Sequence, residues 1–329
     1  MTTYKGINGF AVQSVASDPS PLDEGQVWYN NATYAFKLAS LSTVGTWASG
    51  GNLNTARGYA GAAGTQTATV LFGGYTTAGT GVTELYNGTS WTSNPTGLNS
   101  PRYLIRGTGT QTAALGFGGA APTVGVTESW NGTSWSPVNS LNTTRHSLGG
   151  AGTQTAALGF GGTQEPNTAS SATESWNGTS WTSSPNSLNT ARTWPGGCGT
   201  QTAALAFGGR DNAAPAVLSA TESWNGTSWT SNPTGLNTAR ASSAGFGVQT
   251  AAVAACGNLN TGFTAATEIW NGSTWTTNPN SAPVSLGNTV GSGTLQSGLG
   301  SGGYNTAAVA TTIEFTGPGS PVTQTITTS

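Results

Sequence analysis

The sequence predicts an all-β fold, a six-bladed β-propeller, on three observations. The motif GTQTA recurs at Gly64, Gly109, Gly152 and Gly199, with degenerate copies GVQTA at Gly247 and GTLQS at Gly293. The glutamines inside it (Gln66, Gln111, Gln154, Gln201, Gln249, Gln296) lie 45, 43, 47, 48 and 47 residues apart. Each copy holds four short strand-like runs separated by turn signals, and no stretch keeps a 3.6-residue apolar period. Four strands recurring at this period read as a propeller blade, because one such sheet cannot bury both faces and must stack on its neighbours.

Each element follows in order. The first strand is a run of small residues, as at 58–64, and it lines the axis where six strands crowd together. The second is apolar and ends in Gly-Gly, as in ALGFGG at 114–119. The third holds T-E-x-W, as at 173–176, and the fourth S-W-T, as at 180–182. Asn-Gly between them predicts a two-residue type I′ turn with positive φ at both residues. The pairs Trp130/Trp135, Trp176/Trp181, Trp224/Trp229 and Trp270/Trp275 flank that turn and are expected to fill the space between blades. An L-N-T-A-R segment then leads to the next copy.

The ends organise around the repeat. Thr46-Trp47 matches the fourth strand, while the last copy has Phe315-Thr316-Gly317 and no S-W-T after it. The segment 42–48 is therefore expected to complete the sixth blade and close the ring, which removes free sheet edges. Residues 1–33 form an extension whose Val27-Trp28-Tyr29-Asn30 run enters a β-hairpin, with Tyr34-Ala35-Phe36-Lys37 returning. The propeller covers 34–317, and 318–329 is a polar tail.

Composition excludes several function classes. Only 6% of residues are charged, against roughly 25% in ordinary domains. No basic surface for nucleic acid exists, and no apolar run is long enough for a membrane helix. The start lacks the basic and apolar segments of a secretory signal. One histidine and two cysteines are too few for a zinc or copper centre, so no metal and no cofactor is expected. Cys198 and Cys256 read as buried free thiols. The N-G-T/S triplets match glycosylation acceptors, but turn chemistry explains them without glycans.

Candidate site residues come from register. Arg57, Arg102, Arg145, Arg192 and Arg240 recur, as do Glu84, Glu128, Glu174, Glu222 and Glu268. A structural clamp in each blade explains five copies better than catalysis does. The glutamines read as bonds to their own turn, with a ring of polar contacts as the alternative. His146 has no acid or nucleophile in register, and no catalytic set can be picked out. Arg106 stands where other copies carry Gly61, Gly149, Gly196, Ala244 and Gly291, and is expected to project into the channel. The loops between second and third strands vary most and carry Glu165, Arg210 and Asp211. Variable loops on a rigid scaffold suit recognition, although exposed loops also drift. Arg106, Glu165, Arg210 and Asp211 are thus the candidate ligand-binding residues.

The order Arg, apolar strand, Gly-Gly, variable loop, Glu-x-Tyr/Trp, Trp resembles the kelch repeat over residues 34–317. The opening MTTYKGINGF, then DEGQVWYN and Ala35-Phe36-Lys37-Leu38, resembles the start of tail-fibre and appendage proteins of tailed bacteriophages, especially marine ones. This second resemblance implies a non-enzymatic virion structural protein, assembled in the host cytoplasm and present in multiple copies. Its extension would attach to other virion proteins, with Trp28 and Tyr29 as anchors. Its propeller would contact a host surface glycan or protein. A capsid-decorating protein and a bacterial glycan-binding or glycan-processing propeller are the alternatives.

Overall fold

The computed structural model describes residues 12–120, 122–211, 216–319 and 321–326, and among these there are strands and turns but no helix. Two compact units form: Thr46–Thr316, and the terminal segments up to Gly45 and from Gly317 onward.

The larger unit is a repetition of four-stranded antiparallel sheets. In the first, Gly61–Thr65, Ala68–Phe72, Thr83–Tyr86 and Trp91–Asn94 pair in chain order. Four further sheets repeat this order, starting from Arg106–Gly109, Gly149–Gly152, Gly196–Gly199 and Ala244–Val248. A sixth comprises Val290–Gly293, Ser297–Ser301 and Thr312–Thr316, and its fourth strand is Thr46–Ser49 from the start of the unit. Trp47 lies opposite Phe315 there, as Trp135 lies opposite Trp130.

The Asn-Gly connection differs from the expected turn. Four residues span it, with Asn87 N–H donating to the Ser90 carbonyl at 3.2 Å. Only Gly88 has positive φ, at 91°. Asn87 Oδ1 instead accepts from the Thr89 and Ser90 N–H groups at 3.0 and 2.9 Å. Asparagine is there as a side-chain cap for the loop backbone, a role that Asx turns share.

Cores lie between sheets. One cluster joins Val70 and Phe72 of the first sheet to Ala114, Trp130 and Trp135 of the second; another joins Leu71, Tyr86 and Trp91 of the first to Leu299 of the sixth. The second Trp of each pair also reaches back by its indole N–H to a threonine of the preceding sheet. Trp135 donates to Thr83, Trp181 to Thr127, Trp229 to Thr173 and Trp275 to Thr221, at 2.9–3.0 Å. Trp47 donates to Thr267 and Trp91 to Thr312, both at 2.9 Å.

Five of the glutamines also join sheets rather than bracing their own turn, while Gln296 is exposed and Leu295 holds the corresponding place in the last copy. Gln111 donates to the carbonyls of Thr69 and Tyr86 in the preceding sheet, at 3.2 and 2.5 Å. Gln66 does the same to Gly298 and Phe315 of the sixth sheet, at 3.1 and 2.9 Å. An amide side chain can supply both bonds from one NH2 group.

The first strands pack side by side in sequence, and Val290–Gly293 also neighbours Gly61–Thr65. Their glycines answer to this closeness: a Cβ on Gly107 would lie 2.4 Å from the Ala62 carbonyl oxygen.

Five buried ion pairs occupy the predicted positions. Arg57 pairs with Glu84, and Arg102–Glu128, Arg145–Glu174, Arg192–Glu222 and Arg240–Glu268 meet at 2.5–2.8 Å. Each clamp also holds the incoming chain, because Glu84 accepts from the N–H groups of Asn54 and Thr55 at 2.7 and 3.2 Å. The sixth sheet solves the same site without charge. Leu286 stands in place of the arginine and Ile313 in place of the glutamate, both fully buried in one cluster. Pro283 replaces the asparagine and so removes a donor that would need the carboxylate.

In the terminal unit, Gln13–Val15, Val27–Asn30, Ala35–Leu41 and Pro321–Thr325 form one sheet, parallel in the first pairing and antiparallel in the others. The expected hairpin is therefore present. The segment read as a polar tail supplies a strand, and the units divide after Gly45, beyond residue 33, because Ala35–Leu41 pairs within this sheet. Trp28 has no exposed surface. Its indole N–H and the Asn30 amide both donate to Asp18 Oδ1, at 3.0 and 2.8 Å. Those two bonds, that from Asn30 first, hold the Asp18 carboxyl below its usual pKa.

Candidate functional site

The antiparallel order sends the GTQT and NGTS turns to one end of the sheets. The variable loops and the segments entering each first strand go to the other end. That second end holds the candidate site.

Six non-glycine residues enter the first strands with φ of 52–58°: Tyr59, Leu104, Ser147, Trp194, Ser242 and Asn288. This left-handed conformation is unfavourable for such residues by about 1–2 kcal/mol each, so the surroundings must enforce it. Their backbones do so together. Leu104 N–H donates to the Tyr59 carbonyl, Ser147 to Leu104, Trp194 to Ser147, Ser242 to Trp194 and Asn288 to Ser242, at 2.8–3.2 Å. Tyr59 N–H donates to Asn288 at 3.2 Å, returning the chain of bonds to its start.

This loop of peptides surrounds a cavity of about 70 Å³ whose lining includes Arg106, Trp194, Ser242 and Ser243. A second cavity, of about 160 Å³, follows the glycine-rich first strands. Arg106 lines both. Its Nη2 donates to the carbonyls of Gly150 and Gly197, at 3.1 and 2.8 Å. Among the described residues it forms no ion pair, and burial lowers its pKa to about 10, leaving it charged at neutral pH. In the sixth sheet the residue in its register is Val290, facing Ser301 as Arg106 faces Phe117, where the sequence had pointed to Gly291.

Aromatic groups gather beside the mouth. Tyr59 lies 6.3 Å from Tyr103 and 6.2 Å from Tyr304 between ring centroids, and Tyr75 lies 5.1 Å from Tyr103. All four are half-buried. Burial first, and then the neighbouring tyrosines, raise the Tyr59 pKa.

The other predicted residues spread over the same end. Glu165 sits on the hairpin of Thr163–Gln164 with Thr168–Ala169, is exposed, and accepts from Thr123 Oγ1. Burial lowers the His146 pKa, against an opposing pull from Glu165, and His146 Nδ1 lies 2.8 Å from Ser147 Oγ. Arg210 and Asp211 form a strand opposite Ala216–Val217. Short hairpins of this kind were not legible as strands. Tyr29 packs on Phe36 at 5.1 Å in the terminal unit. Cys198 and Cys256 are buried free thiols, each pushed by burial to a pKa of about 12. Among the described residues, no group of three His, Cys, Asp or Glu could hold a metal ion.

Sequence reading found Arg106 and missed the groups around it. The signal for Trp194 was present, since it is a tryptophan outside the repeated pairs. Compared with known proteins, the chain matches no protein-family model and no curated protein at a significant level.

Proposed function

We propose that Thr46–Thr316 is a six-bladed, kelch-like propeller closed by its own first strand, and that it acts as a non-enzymatic recognition module on a virion appendage of a tailed phage. Closure is supported by four links between sixth and first sheets: Tyr59 to Asn288, Trp91 to Thr312, Gln66 to Gly298 and Tyr86 to Glu314. The recognition reading rests on one observation, the inequality of the two ends. One carries near-identical turns, and the other carries variable hairpins around four clustered tyrosines and a polar cavity. Half-buried tyrosines with a nearby arginine suit the apolar face and polar edge of a sugar. Ten of the scarce charges are held in the five clamps, which leaves few for acid–base chemistry.

The virion assignment rests on the likeness of the N-terminal segment to appendage proteins. In that reading the terminal unit attaches to other virion proteins. Tyr34, 81% exposed, is a better contact there than buried Trp28. The test is host adsorption by particles carrying Tyr59→Ala and Tyr103→Ala together. Loss of adsorption with normal particle assembly supports the reading, and unchanged adsorption removes it. Antibody to this chain that labels no part of purified particles would remove the virion role.

A further inference from the structure

We infer that the axial cavity beneath Tyr59 and Trp194 is a binding site for a small oxyanion, held by Arg106. The inference stands whichever partner the outer loops meet. Four buried polar atoms around this cavity have no hydrogen-bond partner among the described residues: Arg106 Nε, Trp194 Nε1, Ser242 Oγ and Ser243 Oγ. Native proteins leave few such atoms, and a cluster of them marks a place that something polar fills.

The chemistry of the set identifies that occupant. Indole and guanidinium nitrogens can only donate, and the two hydroxyls can donate as well. Arg106 brings a full positive charge that no carboxylate among the described residues pairs. Its Nη2 is spent on the carbonyls of Gly150 and Gly197, which fixes the guanidinium while Nε–H stays free. Arg106 is half-buried, and a cation in such a place is held better by an anion than by water, because hydrogen bonds between charged partners are the stronger ones. The volume, about 70 Å³, takes several waters or one small oxyanion. The shared chemistry is therefore a carboxylate or inorganic oxyanion, arriving either free or as the acidic substituent of a surface glycan.

Titration calorimetry on the full chain tests this, with inorganic phosphate, acetate and glucuronate as probes. Saturable one-to-one binding of these probes is expected. Arg106→Gly should weaken it at least about tenfold, the scale of a lost charge-assisted bond. That variant is expected to fold, because Gly61, Gly149 and Gly196 hold the same register. Trp194→Phe, which keeps the ring and loses the donor, should weaken binding by a smaller factor. Glucuronate binding well above acetate would assign the site to a glycan carboxylate, and equal binding to a free anion. No saturable binding by any probe, or binding unchanged in Arg106→Gly, would overturn the proposal.

Discussion

The backbone N–H of Tyr59 donates to the carbonyl of Asn288 at 3.2 Å, joining the first and sixth sheets of the repeat unit. The same seam carries the Trp91 indole bond to Thr312. It also differs from the other interfaces, since Tyr86 stands where the next four sheets have Trp130, Trp176, Trp224 and Trp270. If the six sheets form one closed structure, Trp91 should matter as much as Trp135 in the interior of the series. Trp91→Ala and Trp135→Ala should each cost about 3–5 kcal/mol in denaturant unfolding. A neutral Trp91→Ala beside a costly Trp135→Ala would mean an open seam.

The clamps offer a comparison within one molecule. Glu84 accepts from Arg57, Asn54 and Thr55, whereas the sixth sheet has Ile313, Leu286 and Pro283 around the same place. Removing one member of a buried pair strands the other charge and costs about 3–5 kcal/mol, while replacing the whole set by apolar groups can be nearly neutral. Glu84→Ile alone should therefore be strongly destabilising. The triple change Asn54→Pro, Arg57→Leu, Glu84→Ile should unfold at a higher denaturant concentration than that single variant. A triple variant weaker than Glu84→Ile would show that the sixth sheet relies on other residues for its apolar solution.

What the sequence made legible follows from what repeats. Strand order, the Arg–Glu pairs and the part played by Thr46-Trp47 are written in each copy or in its absence from the last. Arg106 was visible as the exception in a column of small residues. The tryptophan contacts between copies were legible, but the polar ones were not, because Gln66 and Gln111 look like turn residues until the neighbouring sheet is beside them. The six left-handed residues escaped for another reason. They share a backbone conformation but are Tyr, Leu, Ser, Trp, Ser and Asn, so no residue type announces them. The last copy reads as degenerate in sequence, although Pro283, Leu286 and Ile313 are a consistent set in three dimensions.

Tyr86 gives a pH signature for the same seam. Its hydroxyl donates to Glu314 Oε1 at 2.5 Å, and burial followed by that carboxylate raises its pKa to about 12. The phenol has an ordinary value of 10.0, so between the two the folded chain binds more protons than the unfolded one. Stability from this group is complete below pH 10 and is lost as pH rises through about 12. Tyr86→Phe should flatten the fall in stability over that window while losing the bond at neutral pH. An identical alkaline profile in both proteins would show that the seam does not hold the phenol protonated.

Arg106 should reveal itself by what its removal improves. Its burial lowers its pKa to about 10 from an ordinary 12.5, which means the folded state disfavours the charge it carries. For a base shifted downward, that penalty is fully present at neutral pH and fades only as pH climbs from the folded value toward the unfolded one. Two carbonyl bonds from Nη2 offset part of it, and nothing among the described residues neutralises the charge. Arg106→Gly, matching Gly61, Gly149 and Gly196, should therefore melt higher than the native chain in buffer free of oxyanions. In excess phosphate the native chain should recover that difference, because only it gains a ligand on folding. Calorimetric melting of both proteins with and without phosphate measures this. A variant that melts lower in both buffers would make Arg106 a structural brace between Gly150 and Gly197 instead of a charge kept at a cost.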